Sequence, residues 1–214
     1  MLEKLFPKNG EDAPEIRFDD FAGAWKRCEL GKMGNTFTGL SGKTKEDFGH
    51  GDAKFVTYVN VFNNPIANSK MLESVEIDSK QNEVQYGDVF FTTSSETPKE
   101  IGMSSVWLDK SANTYLNSFC FGYRSTEKFD PYYLAFMLRS SEIRKKFMFL
   151  AQGISRYNIS KIKVMEMEVP VPDFAEQVKI GEFFKTLNNT ITFHQRKLYK
   201  LQNLKQAYLQ KTFI

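Results

Sequence analysis

Asp130-Pro131-Tyr132-Tyr133 places an acid, a proline and two phenols in a row. That is one proline short of the Asp-Pro-Pro-Tyr motif of amino-methyltransferases, and no glycine-rich loop follows a strand to hold a methyl donor. A simpler account uses the same residues: Asp130 caps a helix and Pro131 takes its first position. Pro172-Asp173 with Glu176 and Lys179 loosely matches a nuclease core. However, the Glu and Lys stand three apart where that motif wants two, and both fall on one helix. His50 and His194 have no Cys, Ser or acid pair arranged beside them for nucleophilic catalysis. Gly42-Lys43-Thr44 lacks the upstream glycine of a phosphate-binding loop. Cys28 and Cys120 are too few for a disulfide framework, have no ligand at metal spacing, and read as buried or partly buried thiols. No catalytic residue, no metal site and no cofactor is therefore assigned to this chain.

Two stretches have a different chemistry. Thr92-Thr93-Ser94-Ser95-Glu96-Thr97 is dense in short hydrogen-bonding side chains, and Gly153-Ile154-Ser155-Arg156-Tyr157-Asn158-Ile159-Ser160-Lys161 mixes a guanidinium, a phenol, an amide and hydroxyls. Such groups bind phosphates and base edges, Arg suiting guanine and Asn suiting adenine. The candidate DNA-contacting residues are Thr92, Thr93, Ser94, Ser95, Arg156, Tyr157, Asn158 and Lys161, with Lys43 and Arg124 beside them. The same groups also fit ordinary polar loops at strand ends.

The elements that must position these loops form three parts. Residues 1–14 contain Pro7, Gly10 and Pro14 and read as a loose lead-in; residues 15–172 read as a mixed α+β domain; residues 173–214 read as one long helix. Hydrophobic residues make up 41% and aromatics 14%, enough for a real core. The net charge is only +3, so a DNA-binding face would have to concentrate its cations. The start shows no secretory signal and no stretch reaches the length of a membrane span, so a cytoplasmic protein is expected.

Within the middle part, Phe55 to Val61 reads as a strand stopped by Asn63-Asn64-Pro65. Gly87-Asp88 turns into a strand at Val89-Phe90-Phe91-Thr92-Thr93. Val106 to Leu108, Ser118 to Tyr123, and Met165 to Val169 with alternating glutamates are further strands. Asp130 opens one helix with the stripe Tyr133, Phe136, Met137, Ile143, Phe147 and Leu150, ended by Gly153. Its run Arg144-Lys145-Lys146 reads as a solvated face at least as well as a DNA contact.

The last helix is capped by Asp173, with Glu176 completing a capping box. Ile180, Phe184, Leu187, Ile191, His194, Leu198, Leu201, Lys205 and Tyr208 then alternate four and three apart, which is a heptad seam. Phe184, Leu187, Ile191, His194, Leu198, Leu201 and Tyr208 are assigned to a partner helix or a second copy. His194 and Lys205 are polar members that either set register or snorkel out of it.

Taken together, several stretches resemble the type I restriction–modification specificity (S) subunit family. They run from Trp25 to Gly31, Tyr58 to Asn64, Gly87 to Thr97, Gly153 to Lys161 and Val169 to Pro172, with Glu176-Gln177 and His194 to Leu198. The resemblance covers nearly the whole chain. It implies a target recognition domain followed by a spacer helix, two such units in a full-length member, and an antiparallel pairing of the two helices. It further implies double-stranded DNA as partner, modification (methyltransferase) subunits, and a motor-nuclease restriction subunit, with S-adenosylmethionine, Mg and ATP on those partners. One recognition domain and one helix make this chain look like half an S protein. Two copies would then read an interrupted palindrome. A protein-only coiled-coil adaptor, or a specificity fragment of a fused methyltransferase, is the alternative.

Overall fold

The computed structural model describes residues 2–212; Met1, Phe213 and Ile214, which fall in the lead-in and the final helix as assigned from sequence, lie outside the described residues. In chain order the elements are β1 (Lys26–Glu29), β2 (Gly34–Thr38), β3 (Phe48–Val56), α1 (Tyr58–Asn63), β4 (Leu72–Val75), β5 (Val89–Thr92), β6 (Ser94–Ser95), β7 (Ser104–Val106), β8 (Thr114–Leu116) and β9 (Cys120–Ser125). Then follow α2 (Pro131–Met137), α3 (Ser141–Leu150), β10 (Tyr157–Asn158), α4 (Lys161–Met165), β11 (Glu168–Val171) and α5 (Phe174–Thr212). This is a mixed α+β body from which a long C-terminal helix departs.

The central sheet has the order β2-β9-β5-β7, antiparallel throughout. A second sheet, β4-β3-β8, joins an antiparallel and a parallel pair. Successive side chains of a strand point to opposite faces. On β5, Val89 and Phe91 enter the larger core with Phe121 and Phe147, while Phe90 enters a smaller one with Trp107 and Leu116. A strand covered on both faces reads as an unbroken apolar run, which is how Val89-Phe90-Phe91 stands in the sequence.

The stretch from Phe55 to Val61 is not one strand. β3 ends at Val56, and Thr57 caps a helix, its hydroxyl accepting from the Asn60 amide at 3.2 Å. Asn60 is buried, donating its amide to the carbonyls of Asn68 (2.9 Å) and Met71 (3.1 Å). Capping and a buried amide thus outweigh the β-branched composition. The strand at Val106 starts two residues earlier, and the one at Ser118 starts at Cys120. Met165 closes α4, leaving the strand at Glu168–Val171.

Asp130 caps as expected, accepting from the Tyr133 amide at 2.8 Å. The helix it opens is nevertheless two helices, because Ser140 is extended (ψ 151°) between α2 and α3. Arg139, at that break, reaches under α1. The stripe Tyr133, Met137, Ile143 and Phe147 is buried, across both helices.

The N-terminal segment is packed, not loose. Leu5 and Phe6 are buried in the main core, and Lys4 pairs with Glu15. Phe6 stacks on Phe184 of α5 at 5.5 Å, and Phe136 of α2 stacks on the other side at 4.5 Å. Glu176 does not fold back as a capping-box partner. Its two oxygens accept from Arg17 Nε and Nη2 at 2.7 and 2.8 Å. Gln177 donates to the Pro172 carbonyl and accepts from the Asp130 amide. Gly181 completes the fit: a Cβ there would lie 2.0 Å from Asp130 Oδ1. The first turns of α5 are therefore core structure. Beyond them the seam emerges: Ile191 is 46% exposed, Leu198 56% and Leu201 54%.

Phe184→Ala removes the central ring of the Phe6–Phe184–Phe136 stack. It is expected to cost about 3–5 kcal/mol of unfolding free energy in urea titrations.

Candidate nucleic-acid interface

An open cleft of about 710 Å³ lies beside β6. One wall is α1, with Tyr58, Val59, Phe62 and Asn63; the floor is Ser94 and Ser95; the far side carries Glu96 and Glu100; Ser155 and Arg156 close it. Tyr58 and Phe62 stack at 5.9 Å, one helical turn apart. The Tyr58 hydroxyl donates to the Ser94 carbonyl at 2.8 Å. Burial pushes that phenol up, so it stays a neutral donor.

The Arg156 wall is a hairpin made locally. The Gln152 and Asn158 backbones exchange bonds at 2.9 and 2.8 Å. Gly153 sits at φ +139°, and a Cβ there would meet the Arg156 carbonyl at 2.1 Å, so the turn demands glycine. Tyr157 and Asn158 then pair with Ser95 and Ser94. This fixes the hairpin to the cleft floor and leaves its tip out in solvent, with Ile154 94% exposed.

Two half-buried arginines hold segments beside the cleft. Arg139 donates to Ser104 O (2.7 Å) through Nε and to Val61 O (2.8 Å), Phe62 O (3.0 Å) and Asn64 O (3.0 Å) through Nη2. Arg144 donates to Gly102 O (2.8 Å), Lys99 O (3.0 Å) and Ile101 O. Burial lowers both guanidiniums to about 10, still charged at neutral pH. The Arg144-Lys145-Lys146 run is thus divided: Arg144 is structural, Lys146 donates to the Glu168 carbonyl at 2.7 Å, and only Lys145 lies on the surface, paired with Glu142.

The residues expected from sequence to meet DNA separate into groups. Arg156, Ser94 and Ser95 share this cleft, with Arg156 Nη2 3.3 Å from the Ser94 hydroxyl. Ser94 and Ser95 are its buried floor, and the Ser95 hydroxyl donates to the Thr97 carbonyl at 2.6 Å. Tyr157 is half-buried and Asn158 exposed on the same hairpin. Thr93 and Lys161 border a separate, smaller cleft of about 290 Å³; the Thr93 hydroxyl donates to Phe119 O. Thr92 is fully buried, its hydroxyl accepting from the Met103 amide at 3.0 Å, so as folded here it serves the sheet and has no surface to offer. Arg124 is likewise committed: it pairs with buried Asp88 through Nε (2.8 Å) and Nη2 (2.7 Å) and lies over the Phe37 ring. Lys43 pairs with Asp78 at 2.9 Å, holding that carboxyl well below the usual range, away from both clefts. Tyr58, Phe62 and Asn63 were not legible as site residues, because α1 reads as strand; the Thr57–Asn60 capping pair is the signal that finds it. Glu100 lies just past the Thr92–Thr97 stretch and carried no signal in the sequence.

The arginines of the body are thus mostly spent. Arg17, Arg27 and Arg124 face acids, and Arg139 and Arg144 face carbonyls. Among the described arginines, Arg156 and Arg196 have neither a carboxylate nor a backbone carbonyl partner. Arg156 lines the cleft, and Arg196 lines a groove between α5 and the 63–69 loop. Among the described residues no His, Cys, Asp or Glu cluster could hold a metal, and no helix is long and apolar enough to cross a membrane.

The site is thus an open cleft of mixed polar and aromatic lining on an α+β body that carries a long helix. The family model described as the type I restriction modification DNA specificity domain matches residues 23–203, and the chain belongs to that family, whose part is DNA specificity and not catalysis. It is similar to the HsdS subunit from Thermoanaerobacter tengcongensis (15% identity, TM-score 0.60, covering 92% of this chain and 43% of that one). It is also similar to the type I S subunit from M. genitalium (14% identity, TM-score 0.53, covering 81% and 40%). In sequence it is 24% identical over 87 residues to the type I restriction enzyme MjaX specificity subunit of Methanocaldococcus jannaschii, 40% of this chain and 20% of that protein. The chain therefore spans less than half the length of these relatives.

Arg139→Ala leaves buried carbonyls without a donor and is expected to cost about 3 kcal/mol. Arg156→Ala is expected to stay within about 0.5 kcal/mol of wild type. Guanidinium chloride unfolding of the two variants makes the comparison.

Proposed function

We propose that the chain is the sequence-reading subunit of a type I restriction–modification complex in the cytoplasm, and that two copies pair through α5 to read an interrupted palindrome on double-stranded DNA. The observation that carries the pairing is the exposed seam of Ile191, Leu198 and Leu201 on a helix whose first turns are fixed in the core. Three apolar side chains on one stripe of an isolated helix are poorly served by water and well served by a second helix.

The geometry suits the purpose. From Ile191 to Thr212 the helix extends about 33 Å at 1.5 Å per residue. One turn of B-DNA is about 34–36 Å. Antiparallel pairing over this length puts the two bodies about one DNA turn apart, on the same side of the duplex. Twofold symmetry makes the two half-sites identical and inverted. Two modification subunits and a motor-nuclease subunit bind around this frame. Methyl donor, Mg and ATP belong to them, and this chain binds none.

The Leu198→Glu/Leu201→Glu variant places charges on the seam. It is expected to sediment as a monomer at concentrations where wild type is a dimer, with its circular dichroism otherwise close to wild type. Methylome sequencing of a host that expresses the chain with its modification subunits is expected to show one bipartite palindrome. A wild-type monomer at high micromolar concentration, or an asymmetric motif, counts against the pairing.

A further inference from the structure

The cleft beside β6 is lined by unlike charges. Arg156 and Glu100 both line it, and they do not close into an ion pair with each other. Each is held from behind. The Glu100 carboxylate accepts from the Thr97 hydroxyl at 2.8 Å, and the carbonyls on either side of it, Lys99 and Ile101, are gripped by Arg144. The Arg156 hairpin is held by the glycine turn and by pairing to Ser94 and Ser95. A carboxylate brought beside a phosphate backbone is repelled unless it meets a donor on a base. A guanidinium with no acid partner has its fork free for acceptors.

In the major groove only one kind of base pair offers what both groups need at once. Guanine presents the acceptors O6 and N7, and cytosine beside it presents the N4 amino donor. Adenine–thymine pairs present the donor and acceptors in an order that leaves a fork facing an amino group. Resting on the DNA-reading function proposed above, we infer that Arg156 and Glu100 read one G·C pair in each half-site, Arg156 on the guanine and Glu100 on the cytosine. Arg144 and Arg139 are positioning residues, fixing the Glu100 turn and the α1 wall and adding positive charge beneath a cleft whose visible carboxylates would otherwise repel DNA.

The test is the methylome of the intact complex with wild type, Arg156→Lys and Glu100→Ala. Lysine keeps the charge and the attraction to DNA but lacks the bidentate fork. The wild-type half-site is expected to contain a G·C pair. Both variants are expected to relax at that same pair by about 10- to 100-fold and to keep every other base preference. A half-site with no G·C pair overturns the inference. So do unchanged preferences in both variants, relaxation at two unrelated positions, or complete loss of methylation by Arg156→Lys in a folded complex. If wild type directs methylation to no defined sequence, the DNA-reading function falls and takes this assignment with it. If wild type is specific and the variants match it, only the assignment falls.

Discussion

Phe184 lies between two rings, Phe6 from the N-terminal segment and Phe136 from α2, and just before it in the same helix Glu176 grips Arg17. Everything α5 does farther along depends on this anchorage. A free helix of its length and composition gains little from its own hydrogen bonds and depends on packing to stay folded. Here the packing is supplied at one end only. The body acts as a clamp, and the remainder of the helix becomes a rod whose direction is set where it is held. The buried ion pair adds little net stability beyond what an apolar pair would give, but its fixed bidentate geometry specifies the angle at which the helix leaves.

A second constraint organises the body. Guanidiniums partly withdrawn from water need acceptors, and Arg139 and Arg144 find theirs in backbone carbonyls. Such bonds join segments far apart in sequence: Arg139 to Val61 spans 78 positions, Arg144 to Gly102 spans 42. Because the acceptors are neutral, each guanidinium keeps its whole charge.

The long helix, the Asp130 cap and the doubly covered β5 were all legible in the sequence, because each has a pattern complete within a short window. The α1 wall was not. Tyr58-Val59-Asn60-Val61-Phe62 has strand composition, and the Thr57 cap together with the buried amide of Asn60, satisfied by Asn68 and Met71, makes it a helix. Glu176 was read as a cap since its true partner, Arg17, is 159 positions away. Arg124 and Lys43 look available in a linear reading for the same reason, their acids Asp88 and Asp78 being remote in sequence and adjacent in space. Polar residues are chosen by tertiary partners, and apolar periodicity carries no information on which partner a guanidinium will find.

One pairing has a consequence for how such a chain can change. β1 and β11 lie side by side, Glu29 opposite Glu168 and Lys26 opposite Val171. The polypeptide enters the cleft-bearing body and leaves it through neighbouring strands, whose Cα atoms are about 5 Å apart. All that lies between is a closed excursion from one two-stranded stem. An exchange of the interior with breakpoints in that stem would keep the N-terminal segment and the helix it clamps in register only if the incoming segment again supplied the Phe136 ring and the Asp130 cap that pack on that helix.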